Sequence, residues 1–118
     1  MNDLPPIDPH AITSLQELNP GDGGAFLREI VGIYIEDTPK RIDDMKKSLA
    51  AGDVATFTRA AHTIKGSSAN VGAQVLRGVA ERLERISRTE GLANLGPLIA
   101  ECEAQFVLAG AELTRLSK

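Results

Sequence analysis

The chain has 118 residues, of which 42% are hydrophobic and 25% are charged, a composition typical of one soluble globular domain. A net charge of −3 does not favour a nucleic-acid partner. No stretch approaches the roughly 18 apolar residues that span a membrane, and the first residues lack the basic start and apolar run of a signal peptide. The single cysteine, Cys102, excludes an internal disulfide and falls on an apolar stripe, so we expect it in the core. We therefore expect a cytoplasmic protein that neither enters a membrane nor binds nucleic acid.

The first half of the chain predicts an arm followed by helical segments. Residues 1–12 contain three prolines and predict an extended N-terminal arm, and a short helix over residues 13–18 follows before a glycine-rich linker. An apolar stripe with helical spacing then continues through Pro39. Because proline fits the first position of a helix, we predict two nearly coaxial segments over about 24–37 and 39–51. One long helix with a kink at the proline is the alternative.

Three more helical patterns follow in the second half of the chain. Gly52-Asp53 combines a helix stop with a new N-cap, so the next helix, over about 54–70, is expected to be an antiparallel neighbour. Gly72 ends that helix. A further helix is predicted to stop near Gly91, and Asn94 is expected to cap the last one.

The spacing of apolar residues also predicts how these helices pack. No segment alternates apolar and polar residues as a half-buried strand does. In the last helix, apolar residues recur alternately four and three positions apart, which is the seam of a left-handed bundle. We therefore predict an all-α fold, an antiparallel four-helix bundle domain over residues 13–118 behind the N-terminal arm.

His62 lies in the middle of the predicted helix over residues 54–70. At 100° per residue, the buried stripe of this helix lies on the side away from His62 and consists of Phe57, Ala61, Ile64 and Ser68. The helical neighbours of His62 are small or cationic, namely Ala55, Thr58, Arg59, Lys65, Gly66 and Ala69. The pattern predicts an exposed imidazole that another protein can reach, whereas an ordinary surface histidine is the alternative.

Gly66 and Lys65 are the residue types that a phosphorylated imidazole needs nearby. Glycine inside a helix costs about 0.5–1 kcal/mol relative to alanine. Helical side chains lean toward the N-terminus, so a larger residue at position 66 would lean over His62. Lys65 places a cation where a dianion attached to His62 would lie. This spacing predicts that His62 accepts a phosphoryl group.

The run from His62 to Ser68, HTIKGSS, followed by NVGA at positions 70–73, resembles the signature of histidine-containing phosphotransfer (HPt) domains. These domains are the relay modules of multistep two-component signalling, and the resemblance covers roughly residues 18–116. It implies that His62 carries the phosphoryl group, that Lys65 contacts it and that Gly66 keeps access open. It further implies that Nε2 is phosphorylated while a nearby polar group, which the sequence does not identify, holds Nδ1.

The resemblance also implies the partners of the chain. Response-regulator receiver domains would be donor and acceptor, with a hybrid histidine kinase upstream. The side chains expected to contact them are Ala55, Thr58, Arg59 and Ala69. We expect no cofactor, because a divalent cation comes with the receiver domain and His62 has no second metal ligand on its face. The glycine-rich segment over 21–24 lacks the lysine and strand of a phosphate-binding loop. The chain is thus expected to be a monomeric covalent carrier and no enzyme.

Two functions from other classes remain as alternatives. One is an interaction module that sequesters a partner without being phosphorylated, which the intact pair of Lys65 and Gly66 argues against. The other is the substrate domain of a chemotaxis-type kinase, which a nucleotide-binding domain phosphorylates directly. We expect a free-standing relay protein, with an excised domain of a larger sensor kinase as the alternative.

Other polar residues are expected to have structural roles. Ser68 is expected to bond to the helix backbone, and His10 lies in the arm without a partner. A solvated helix face is predicted for four arginines interleaved with Glu81 and Glu84. The alternative is a partner-facing patch of the arginines alone, which are Arg77, Arg82, Arg85 and Arg88.

Overall fold

A computed structural model describes residues 4–118, and these residues form five α-helices without a β-strand. The helices are α1 (Pro9–Leu18), α2 (Ala25–Ala51), α3 (Val54–Val71), α4 (Gln74–Glu90) and α5 (Gly96–Leu116). Helices α2 to α5 contact one another in a ring, and α1 packs beside α2 and α3. The two-residue connections on either side of α3 make it antiparallel to both α2 and α4. The predicted all-α fold class is confirmed.

Helix α1 begins at Pro9, four residues earlier than the sequence predicted, because Asp8 caps it. The Asp8 carboxylate accepts the backbone N–H of His10 at 3.0 Å, and proline fits the first helical position because no N–H is needed there. Residues 9–12 of the predicted arm, including His10, are therefore helical. The Asp8 N–H donates to the carbonyl of Gly72 at 2.8 Å and so joins the arm to the α3–α4 turn. The beginning of the arm, residues 1–3, lies outside the described residues.

Helix α2 runs without interruption through Pro39, so the prediction of two segments is wrong and the single helix is correct. Thr38, which was expected to cap a new helix, is buried inside α2, where its hydroxyl donates to the carbonyl of Tyr34 at 2.7 Å. Ile42 and Met45 are buried after the proline, just as Tyr34 is before it. Burial of apolar residues on both sides outweighs the one backbone hydrogen bond that proline removes.

Helix α3 packs between α2 and α4, and its buried residues are Phe57, Ala60, Ala61, Ile64, Ser68 and Val71. Contrary to the prediction, Ser68 does not bond to the helix backbone. Its Oγ lies 2.8 Å from the hydroxyl of Tyr34, because the side chain faces the core where α2 supplies a partner. Burial raises the pKa of Tyr34 to about 12, so this hydrogen bond is between neutral groups. The contact fixes the C-terminal half of α3 against α2.

The ends of the last three helices agree with the sequence except at Asn94. Gly72 ends α3 in a left-handed conformation, with φ of 76°. The residue before α5 is Leu95, and Asn94 itself has φ of 66°, so Asn94 forms the preceding turn and does not cap the helix. Cys102 is fully buried as expected, and burial raises the pKa of its thiol to about 12.

Candidate functional site

His62 projects from the middle of α3 into solvent, with 65% of its side chain exposed. The buried stripe on the opposite side of the helix fixes this direction, so the prediction that His62 faces solvent is confirmed. Gly66, one turn later, is exposed as well, and a Cβ atom built there would meet nothing within 4 Å. This glycine therefore leaves open space beside the imidazole, where no neighbouring helix packs.

Glu84 of α4 holds one nitrogen of the imidazole. The His62 Nδ1 atom lies 2.9 Å from Oε2 of Glu84, whose side chain is only 6% exposed. An ionised carboxylate can only accept, so Nδ1 carries the proton and donates it. In the neutral ring the free electron pair then resides on Nε2. Glu84 is thus the polar group at Nδ1 that the sequence did not identify, and Nε2 is left as the nucleophilic nitrogen.

Two cations keep the Glu84 carboxylate ionised. Lys65 Nζ lies 2.7 Å from Oε1, and Arg88 Nη2 donates to Oε2 at 2.8 Å. Burial of Glu84 raises its pKa, but the contacts with Lys65, His62 and Arg88 outweigh this and lower it to about 2. The carboxylate is therefore charged at any pH near neutrality. Lys65 is only 29% exposed because it is bound in this cluster.

The prediction that Glu84 belongs to a solvated face is wrong. Glu84 follows Leu76 and Ala80 at steps of four residues and continues the buried row of α4. A carboxylate in a row of apolar residues is a signal that could have identified it. Arg88, from the same predicted face, is exposed but forms an ion pair with Glu84. Arg77 and the remaining arginines of that face are exposed, as expected.

A second polar contact between α3 and α4 lies next to the His62–Glu84 pair. Thr58 Oγ1 lies 2.7 Å from Ser87 Oγ, and the Ser87 hydroxyl also donates to the carbonyl of Glu84 at 3.0 Å. Thr58 precedes His62 by one turn, and Ser87 follows Glu84 by one turn. The two contacts together fix the register of the helices and hence the distance between imidazole and carboxylate.

An open depression of about 600 Å³ lies beside His62 and is lined by Val54, Ala55, Thr58, Arg59, His62 and Arg88. Three of the four residues expected to contact a partner are therefore brought together, although the Thr58 hydroxyl is turned toward α4. The fourth, Ala69, is exposed but lies two turns beyond His62, outside the depression. A larger depression of about 890 Å³ between α4 and α5 contains none of the predicted site residues.

The arrangement can present a nucleophile to an anionic group. The imidazole is exposed, a buried carboxylate stabilises positive charge on the ring, and three cationic side chains, Arg59, Lys65 and Arg88, lie around it. Residues 4–118 contain no group of three or more His, Cys, Asp or Glu side chains that could hold a metal ion. In the same part of the chain, no helix has the length and apolar character needed to cross a membrane.

Comparisons with known proteins agree with this geometry. Residues 29–117 match the family model described as the Hpt domain. Over 78 residues, 66% of the chain, the sequence is 35% identical to Multistep phosphorelay regulator 1 of Schizosaccharomyces pombe, and the match spans only 26% of that longer protein.

Two solved structures share the fold. Histidine-containing phosphotransfer protein B from Pseudomonas aeruginosa PAO1 is 26% identical, with a TM-score of 0.85 over 96% of this chain and 95% of that chain. The HPT domain of a sensor hybrid histidine kinase from Shewanella is 17% identical, with a TM-score of 0.70 over 92% of this chain and 95% of that chain. The second similarity supports the fold alone.

Proposed function

This chain belongs to the Hpt domain family, and we propose that His62 accepts a phosphoryl group from the aspartyl phosphate of one receiver domain and passes it to another. The observation that carries this assignment is the hydrogen bond from Nδ1 to Glu84, which leaves the exposed Nε2 as the nucleophile. The other histidine, His10, lies in the first turn of α1, and its ring has no carboxylate partner within residues 4–118.

Transfer to His62 is an in-line displacement at phosphorus. The Nε2 electron pair forms a bond to phosphorus while the bond from phosphorus to the aspartate oxygen breaks, and that electron pair returns to the aspartate carboxylate. Nδ1 keeps its proton, so the ring becomes a cation. The Glu84 carboxylate, 2.9 Å from Nδ1, stabilises this cation as it forms. No proton has to leave the site, and the same steps in reverse deliver the group to a second receiver domain.

The surface around His62 supports docking of such a partner. The depression beside the imidazole combines exposed Val54 and Ala55 with the cation Arg59. Apolar contact contributes affinity, and the cations attract the negatively charged phosphoryl pocket of a receiver domain. The space above Gly66 allows a partner to approach Nε2 from the other side.

Under this proposal the chain supplies no reacting group beyond those described above. The receiver domain supplies the divalent cation, and this chain binds no nucleotide and no cofactor, so it is a covalent carrier and no enzyme in its own right. A hybrid histidine kinase supplies the first receiver domain. We place the chain in the cytoplasm as a monomer, with one copy of the site docking one receiver domain at a time.

A transfer assay with two histidine variants tests the proposal. Receiver domains of the source organism are phosphorylated with a radioactive small-molecule donor and mixed with the wild type, His62→Gln or His10→Gln. We expect label on the wild type and on His10→Gln, and none on His62→Gln, with the gel kept alkaline because phosphohistidine is labile in acid. Label retained in His62→Gln contradicts the proposal. A parallel reaction contains a kinase and ATP in place of the phosphorylated receiver domain. Label that appears only in this reaction supports direct phosphorylation, and binding of a receiver domain without label supports an interaction module.

A further inference from the structure

We infer that Arg88 of α4, rather than Lys65, contacts the phosphoryl group on His62, whereas Lys65 stays bound to Glu84. This assignment rests on the proposed function, because it concerns the phosphorylated state of His62. It differs from the role that the sequence resemblance implies for Lys65. Lys65 becomes a positioning residue that acts through Glu84, and Arg88 makes the direct contact.

The two oxygens of Glu84 have unequal sets of partners. Oε2 lies 2.9 Å from His62 Nδ1 and 2.8 Å from Arg88 Nη2. Oε1 is buried, has no hydrogen-bond partner of good geometry among residues 4–118, and lies 2.7 Å from Lys65 Nζ. If Lys65 moved away, Oε1 would be left buried and unpaired, which is costly for a charged group. If Arg88 moved away, Oε2 would keep His62, so Arg88 is the cation that can leave at the lower cost.

Arg88 also lies where the phosphoryl group would be. Helical side chains lean toward the N-terminus, so the ring of His62 leans toward the depression beside Ala55 and Arg59. Arg88 and His62 both line this depression, and Lys65 does not. The Arg88 side chain is 64% exposed and so has room to turn. Its planar guanidinium can bind two phosphoryl oxygens at once, which an ammonium group cannot do in a fixed geometry.

The charge on the ring compensates Glu84 for the loss of Arg88. The nucleophilic form of His62 is the neutral imidazole, and with that form the carboxylate contacts two cations, Lys65 and Arg88, and one uncharged ring. After transfer, the imidazole is a cation because Nδ1 keeps its proton. Glu84 then still contacts two positive groups, Lys65 and His62, when Arg88 has turned to the phosphoryl oxygens. Phosphorylation itself thus releases Arg88 from the carboxylate.

31P NMR of the phosphorylated protein at alkaline pH, where phosphohistidine is stable, tests which cation contacts the phosphoryl group. Phosphoramidate phosphorylates histidine without a receiver domain, so labelling does not depend on a cognate partner. The 31P chemical shift of the phosphoryl group is measured at alkaline pH in the wild type, Arg88→Ala, Arg88→Lys, Lys65→Ala and the control Arg85→Ala, which removes an exposed arginine of the same helix. Transfer rates from a phosphorylated receiver domain are measured for the same variants.

In Arg88→Ala we expect the 31P resonance of the phosphoryl group to move, because its oxygens lose a charge-assisted contact with the guanidinium, and transfer to slow about tenfold. Arg88→Lys should recover part of both effects, and Arg85→Ala should change neither. Lys65→Ala should leave the 31P resonance unchanged but alter the 15N signals of His62, because Glu84 loses the cation that holds its Oε1 atom.

A 31P resonance that moves in Lys65→Ala but not in Arg88→Ala overturns the assignment, and equal shifts in both variants overturn it too. If receiver domains do not transfer but the phosphoramidate-labelled protein shows the Arg88 shift, the proposed relay function fails and the contact stands. If neither phosphoramidate nor a phosphorylated receiver domain labels His62, both are overturned.

Discussion

Replacing Glu84 with glutamine should remove a defined part of the acid sensitivity of this protein. The cluster around Glu84 lowers its pKa from 4.5 to about 2, and the side chain is almost fully buried. A carboxyl group with a depressed pKa stabilises the folded state above the pKa of the unfolded chain, and that stabilisation is lost as the pH falls toward the folded pKa. At about 1.4 kcal/mol per pH unit, the lowered pKa corresponds to about 3 kcal/mol, lost between about pH 4.5 and pH 2.

Urea unfolding of the wild type and Glu84→Gln at a series of pH values isolates this contribution. The two proteins share every other titrating side chain, so the change in their difference in unfolding free energy across this acid range reports the titration of the Glu84 cluster. We expect the wild type to be the more stable protein at neutral pH, and the difference to shrink by about 3 kcal/mol as the pH falls through the window given above. A difference that stays constant from neutral pH to the acid end would refute the charge cluster derived from the structure.

Three further substitutions have expected outcomes. Gly66→Ala should stabilise the fold by up to about 1 kcal/mol and so raise the thermal midpoint, while it slows phosphotransfer. Gln or Leu at position 66 should slow transfer further, and transfer that does not depend on side-chain size would rule out an access role for the glycine. Lys65→Ala should cost about 2 kcal/mol in urea unfolding at neutral pH, because Oε1 of Glu84 is left buried and unpaired, and a cost below about 0.5 kcal/mol would contradict that contact. Gly72→Ala should lower the stability of the fold by more than about 1 kcal/mol, because the new Cβ would lie 2.5 Å from the Cβ of Ala11 and residue 72 has φ of 76°. Calorimetry measures this loss of stability, and transfer activity per folded molecule should not change.

The helices and the exposure of His62 follow from patterns within single segments of the sequence. Apolar residues at helical spacing determine which side of α3 is buried, and His62 must then face the solvent. Gly52 and Gly72 are helix stops that the sequence identifies locally. These features depend on neighbours within one or two turns, which is why the sequence predicts them.

The parts that the sequence did not predict depend on contacts between helices. Glu84 lies 22 positions after His62, and only the packing of α4 against α3 places the two side chains together. The partial burial of Lys65 has the same origin, because its partner belongs to another helix. The continuity of α2 through Pro39 is decided by burial on both sides, which outweighs a local preference for a helix start.

A long-range 1H–15N correlation spectrum of the protein, before and after transfer from a phosphorylated receiver domain, is the most direct measurement of the central claim. We expect the His62 ring to carry its proton on Nδ1 before transfer, and the phosphorus to be bonded to His62 Nε2 afterwards with the Nδ1 proton retained. Phosphorus on Nδ1 of His62, or on any other side chain, would contradict the account.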